Sequence, residues 1–218
     1  MTRRRFDEQL TLLHKELLEM GALCEEIISV AAEGLLQGDD STASHAAPLE
    51  QAINRKEGDI EALCLRLLLH QQPVAGDLRR ISAALKMITD MERIGDQALD
   101  IAELIGYLKG GNGDDFQIIA DMAHATMDMV TDSVDAFVDS DPAMVKKVLS
   151  EDDLVDELFD KVKSSLIQRI AAHPEEGEYA MDMLMVAKYF ERIGDHAENL
   201  AEWVEFSITG VHRGGEGL

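Results

Sequence analysis

The 218-residue sequence predicts an all-α protein built from two copies of a three-helix unit. Three observations predict it. Glu-Arg-Ile-Gly-Asp occurs twice, in "DMERIGDQALDIAE" from Asp90 and in "YFERIGDHAENLAE" from Tyr189. Clusters of Gly, Pro, Asp and Ser recur along the chain in the manner of helix ends and turns. Between them lie long stretches with apolar residues at helical spacing, and none shows the sustained alternation of a strand.

The elements follow from that punctuation. The first helix ends at "QGDDSTAS" around residue 40 and the second at "HQQPVAGD" around residue 73. The third carries the first ERIGD and ends at "KGGNGDD" around residue 112, whose glycines stop one helix before Asp114 or Asp115 starts the next. The fourth ends at "DSDPAM" around residue 142, the fifth at "HPEEGE" around residue 175, and the sixth carries the second ERIGD. "GLLQGD" from Gly34 overlays "AFVDSD" from Ala136, an offset of 102 that also places Asn54 on Asp156. Glu92 overlays Glu191 at an offset of 99, so one connection has lost three residues, expected at the turn between the second and third helices. The two units are residues 1–111 and 112–218.

The third helix of each unit has the clearest pattern. Met87, Met91, Ile94, Ala98, Ile101, Ile105 and Leu108 follow a 4,3 spacing, matched by Val186, Phe190, Ile193, Ala197, Leu200 and Val204. Such a seam packs against neighbouring helices in a bundle. Gly95 and Gly194 sit inside these helices at a cost of about 1 kcal/mol relative to Ala, which close helix approach explains.

The formal charge is −23. Nucleic-acid binding depends on Lys and Arg neutralising phosphates, so this surface excludes nucleic acid and favours basic proteins or multivalent cations. Cys24 and Cys64 form no CxxC pair and are read as small buried residues, in keeping with a cytoplasmic location. "MTRRRFDEQL" lacks the apolar core of a signal peptide, and no run approaches the ~20 apolar residues of a membrane span.

Opposite the apolar seam lie acids. At about 100° per residue, Glu92, Asp96, Asp100 and Glu103 share one face of the third helix. Glu191, Asp195, Asn199 and Glu202 share the same face in the second copy, with Glu198 close by. Like charges four residues apart disfavour a helix by a few tenths of a kcal/mol per pair. Either the face is solvated, with Arg93 and Arg192 compensating locally, or it binds cations, since carboxylates on consecutive turns reach one ion. Asp128, Asp132 and Asp135, then Asp153, Asp156 and Asp160, and Glu26, Glu33, Asn54, Glu57 and Glu61 are further donors that would bring three helices to each ridge.

Other chemistry is absent from the pattern. The seven histidines form no HExxH and no paired ExxH, and His196 is read as a surface or supporting group about 100° off the acidic face. There is no GxxxxGK[ST] loop and no GxSxG elbow. The chain is read as a non-enzyme. A metal-dependent phosphohydrolase is the alternative, needing an open coordination position beside a pocket.

The repeated "ERIGD" on each third helix resembles the PhoU family, as do "QQPVAGDLRRISAALKMITDMERIGDQALDIAE", with Gln72, Pro73, Asp77, Leu78 and Arg79 in a QPVAxDLR pattern, and "KYFERIGDHAENLAEWVEF". The resemblance implies two tandem antiparallel three-helix bundles related by internal pseudo-twofold symmetry, in a cytoplasmic homodimer. It implies negative regulation of phosphate uptake and of the phosphate-starvation response. The partners would be the phosphate ABC transporter's ATPase subunit and a phosphate-sensing histidine kinase. It further implies multinuclear iron or zinc on the carboxylate faces. Glu92, Asp96, Glu191 and Asp195 are its primary ligands, and Asp100, Glu103, Asn199 and Glu202 continue those faces. Asn199 stands where the first repeat has Asp100, which sets the two sites apart.

Overall fold

The computed structural model describes residues 3–70, 73–108 and 114–211. Its six long helices are α1 (Arg3–Gln37), α2 (Thr42–His70), α3 (Ala75–Leu104), α4 (Asp114–Asp139), α5 (Pro142–Ala172) and α6 (Gly177–Thr209). Short 3-10 turns follow α3 (Ile105–Tyr107) and precede α6 (Pro174–Glu176). No strand occurs among the described residues. The expected unit boundary at 111/112 lies outside them.

The helix ends have local causes. Gly38 takes a left-handed φ of 63° just beyond α1, and Gly210 one of 79° at the end of α6, a conformation that suits glycine. Asp141 caps α5, its carboxylate accepting from the Ala143 amide at 2.8 Å, with Pro142 in the first turn.

Helices α1–α3 form one antiparallel three-helix bundle and α4–α6 the other. Helix α3 packs on α6 and α1 on α4, while α2 lies against α1 and α3, and α5 against α4 and α6. Equivalent helices therefore meet each other across the pseudo-twofold axis, as in an isologous dimer. A single apolar core runs through both bundles. Every residue of the predicted seams is buried, from Met87 to Leu108 and from Val186 to Val204. Each large side chain withdrawn from water this way contributes about 1.5–3 kcal/mol.

The two internal glycines do what their position predicts. A Cβ on Gly95 would lie 3.0 Å from Ile53 Cδ1, and one on Gly194 3.2 Å from Val155 Cγ1. Ile53 and Val155 are related by the 102 offset, so the α2–α3 and α5–α6 crossings are equivalent. The three-residue length difference lies between the second and third helices, as expected: four positions separate His70 from Ala75, and one separates Ala172 from Pro174. At the 99 offset Pro174–Glu176, a separate 3-10 turn in the second bundle, take the place of the first turn of α3.

Candidate functional site: two acidic grooves

The acidic stripe of each third helix does not face open water as a continuous comb. Its first turns lie in the groove against the second helix of the same bundle, and its later turns meet the other bundle. Glu92 and Glu191 are mostly covered, their side chains 20% and 13% exposed.

In the first groove, Glu50, Glu57 and Glu61 of α2 stand beside Glu92 and Asp96 of α3. Burial lifts the Glu92 carboxyl above the usual range, with Asp96, Glu57 and Glu50 adding repulsion against the opposing charge of Arg93. Burial and then Glu61 lift Glu57 in the same direction. Arg93 lies at the rim, its Nε 3.3 Å from Glu92 Oε2 and its Nη1 donating to Asp96 Oδ2 at 3.0 Å. Asn54 donates to Glu50.

In the second groove, Asp152 and Asp156 of α5 meet Glu191, Asp195 and Glu198 of α6. The bare backbone at Gly194 admits Asp152, whose Oδ1 is 3.3 Å from where a Cβ would stand. Burial, followed by repulsion from Glu198, Asp156, Asp195 and Asp153, pushes the Asp152 carboxyl up to about 7. Asp156 and Asp195 are raised by burial and then by Glu191, with Lys188 opposing. Lys188 donates to both carboxylate oxygens of Glu191.

The remaining candidates go elsewhere. The Tyr189 hydroxyl donates to Asp100, whose carboxyl is nonetheless raised by burial and by Glu103 and Asp96. Asp100 and Glu103 line a recess of about 360 Å³ with Ala43, Leu104, Tyr107 and Tyr189. Asn199 donates across the bundles to Asp90 Oδ1 at 3.3 Å, and His196 Nδ1 lies 2.9 Å from the same oxygen. His196, expected as a surface or supporting group, belongs to the α3–α6 interface. At the 99 offset Asp90 corresponds to Tyr189 and Asn199 to Asp100, so these two contacts are one pair repeated by the pseudo-twofold axis. Glu202 continues the stripe, half-buried.

Each groove draws on two helices rather than three. Asp132 is held by Lys147 at 2.6 Å and, with Asp128, bears on Glu151 in the α4–α5 groove. Glu33 accepts from Ser29 at 3.0 Å, Glu26 lines a recess between α1 and α4, and Asp160 pairs with Lys163 at 3.1 Å. Asp152 and Lys188 escaped the sequence reading. The 102 offset that puts Glu50 on Asp152 could have found the acid, and the i,i+3 spacing of Lys188 and Glu191 on one helix could have found the lysine. Cys24 and Cys64 are both buried, and burial pushes their thiols up to about 12.

Among the described residues, no three His, Cys, Asp or Glu side chains stand close enough to hold one metal ion as they are oriented. The chemistry present is that of clustered carboxylates, repelling one another in half-buried grooves. No helix among the described residues is long and apolar enough to cross a membrane.

Fold and grooves together define a class: an all-helical twin bundle with internal twofold symmetry and two equivalent acidic grooves. The chain belongs to the PhoU family, whose domain model matches it twice, over residues 17–105 and 119–204. It is 36% identical over 212 residues to the phosphate-specific transport system accessory protein PhoU homolog of Clostridium acetobutylicum, covering 96% of this chain and 97% of that protein. The crystal structure of PhoU from Pseudomonas aeruginosa superposes with a TM-score of 0.89 at 29% identity, over 94% of this chain and all of the other. The phosphate transport system regulatory protein PhoU from Streptococcus pneumoniae superposes with a TM-score of 0.88 at 25% identity, over 95% of this chain and 98% of that one.

Proposed function

We propose that this protein is a regulatory accessory protein of phosphate transport. It restrains phosphate uptake and the phosphate-starvation response as an adaptor between the transporter's ATPase subunit and a phosphate-sensing histidine kinase. The observation that carries this reading is likeness over nearly the whole chain to a protein named as a phosphate-specific transport system accessory protein. The physical chemistry agrees with an adaptor. A formal charge of −23 favours cationic surfaces on partner proteins, and the grooves present acids without a nucleophile paired to a base.

Cations on the grooves are the second part of the proposal. The donors are all oxygens, suited to hard multivalent cations. The fit rests on Asp152, Asp156, Asp195, Glu57 and Glu92, whose carboxyls are all raised by burial and by neighbouring acids, a repulsion that a cation relieves. Glu92 and Asp96 would hold the ion in the first groove, with Glu57 across from them. Iron or zinc is the expectation from the family resemblance. Bound cations would turn a repulsive groove into a docking surface.

The test is capture of the purified ATPase subunit and the kinase on the immobilised protein, with and without chelator. Retention of both, weakened by chelator, is the expected result. Failure to retain either partner overturns the adaptor reading, and retention indifferent to chelator and to added Zn²⁺ overturns the role of metal.

A further inference from the structure

The two grooves are equivalent in position and different in charge: Asn54 and Leu99 give way to the acids Asp156 and Glu198, and three further exchanges set one end of the groove apart. At the offsets that superpose the bundles, Thr89 becomes Lys188, Glu57 becomes Phe159, and Glu61 becomes Lys163. One end of the groove thereby changes from acidic to basic and aromatic. Lys188 Nζ lies 5.5 Å from the Phe159 ring centroid, and Lys163 Nζ lies 5.8 Å from it. An ammonium over an aromatic face is held by the ring quadrupole as well as by its carboxylate.

The first groove has a cation of its own, Arg93, but in a different relation to the acids. Its side chain is 55% exposed and meets one oxygen each of Glu92 and Asp96 from the rim. Exposed pairs of that kind contribute little and yield readily. The equivalent Arg192 serves the other side, its charge bearing on Asp100 and Tyr189 of the α3–α6 interface. Lys188, 36% exposed, donates to both oxygens of a groove carboxylate that is only 13% exposed.

We propose that Lys188 is a tethered counter-cation that competes with external cations for Glu191, so that Glu191 is closed to a metal ion while its counterpart Glu92 is open. The inference rests on the reading of the grooves as cation sites. It makes Lys188 a residue that sets which carboxylates receive an ion and leaves the two grooves unequal in affinity. Asp152 and Asp195 remain for an ion in the second groove.

The experiment isolates the second groove in a Glu92→Gln/Asp96→Asn background and follows Mn²⁺ binding by the loss of its free-ion electron paramagnetic resonance signal. Lys188→Thr, which installs the first groove's residue, tightens binding about tenfold. Adding Glu191→Gln reverses that gain, whereas with Lys188 present Glu191→Gln changes affinity less than about twofold. Lys188→Gln, which keeps the length of the side chain without its charge, guards against a packing effect and gives the same tightening. A rise in melting temperature on adding Mn²⁺ to either lysine variant, larger than in the same background with Lys188, is the second readout. Unchanged or weaker Mn²⁺ binding after both lysine substitutions overturns the proposal while leaving the grooves as cation sites. Absence of Mn²⁺ binding by every variant and by the natural protein overturns the cation reading, and this inference with it.

Discussion

The first and second grooves show how a duplicated scaffold keeps its packing and changes its chemistry. Both cross a third helix over a second helix at a glycine, against Ile53 in one and Val155 in the other. Both carry a half-buried Glu four residues before an Asp. Yet the first keeps Glu57 and Glu61 where the second has Phe159 and Lys163, while the second holds a lysine on Glu191 and concentrates its repulsion on Asp152. Packing is conserved between the copies because the close-packed core tolerates little change of shape. Charge has diverged because the groove walls are open enough to exchange Glu57 for Phe159 without disturbing the crossing.

Four experiments break or sharpen this comparison, beginning with the largest effect. The shared core is probed at Phe190 and its counterpart Met91, both fully buried. Phe190→Ala is expected to cost about 3–5 kcal/mol and Met91→Ala about 2–5, read from urea unfolding. A loss below 1 kcal/mol at either site would mean that the helix does not pack as described.

The divergence in charge appears next, as pH dependence. The Asp152 carboxyl titrates at about 7 in the folded protein against a reference of 3.8. The folded state therefore holds this proton more tightly than the unfolded chain. Its contribution is fully present below about pH 4 and is lost as pH rises through about 7. Asp152→Asn fixes the neutral form. In chelated buffer it should stabilise the protein at pH 8 by about 1–2 kcal/mol after solvent screening, and flatten stability between pH 5 and 8. Glu92→Gln should act in the same direction. Equal pH profiles for natural protein and Asp152→Asn would remove the contrast between the grooves.

The interface between bundles sharpens the symmetry itself. Asp90→Ala deprives His196 and Asn199 of a shared acceptor and is expected to cost about 1–2 kcal/mol. Tyr189→Phe, its symmetry counterpart, loses one hydrogen bond to Asp100 and should cost about 0.5–1 kcal/mol. A double-mutant cycle between Asp90 and Asn199 with no coupling would refute the contact. The smallest effect is the graft in reverse. Thr89→Lys on the exposed flank of α3 should weaken Mn²⁺ binding to the first groove about threefold, measured by titration in a Glu191→Gln/Asp195→Asn background.

Much of the architecture was legible without coordinates. The 4,3 spacing of Met87 to Leu108 predicted a buried seam, and each of those residues is buried, because helical periodicity reports which side of a rod meets its neighbours. The internal glycines announced close crossings for the same reason. The site was only half legible. Glu92 and Asp96 lie together as their spacing predicts, whereas Asp100 and Asn199, on the same helical faces, turn out to serve the α3–α6 interface. A helix face spans several neighbours along its length, and sequence spacing does not say where one neighbour gives way to the next.

By itself, the sequence determined the helical class, the duplication, the buried seams, the strong negative charge and the pairing of acids one turn apart. All of these are local or self-repeating properties, set by the helix period and by composition. Only the tertiary structure decided that Asp152 fits against Gly194 and that Asp90 bridges to His196. Those contacts join residues far apart in the chain. Their partners are selected by how helices cross in three dimensions, which no spacing along one helix encodes.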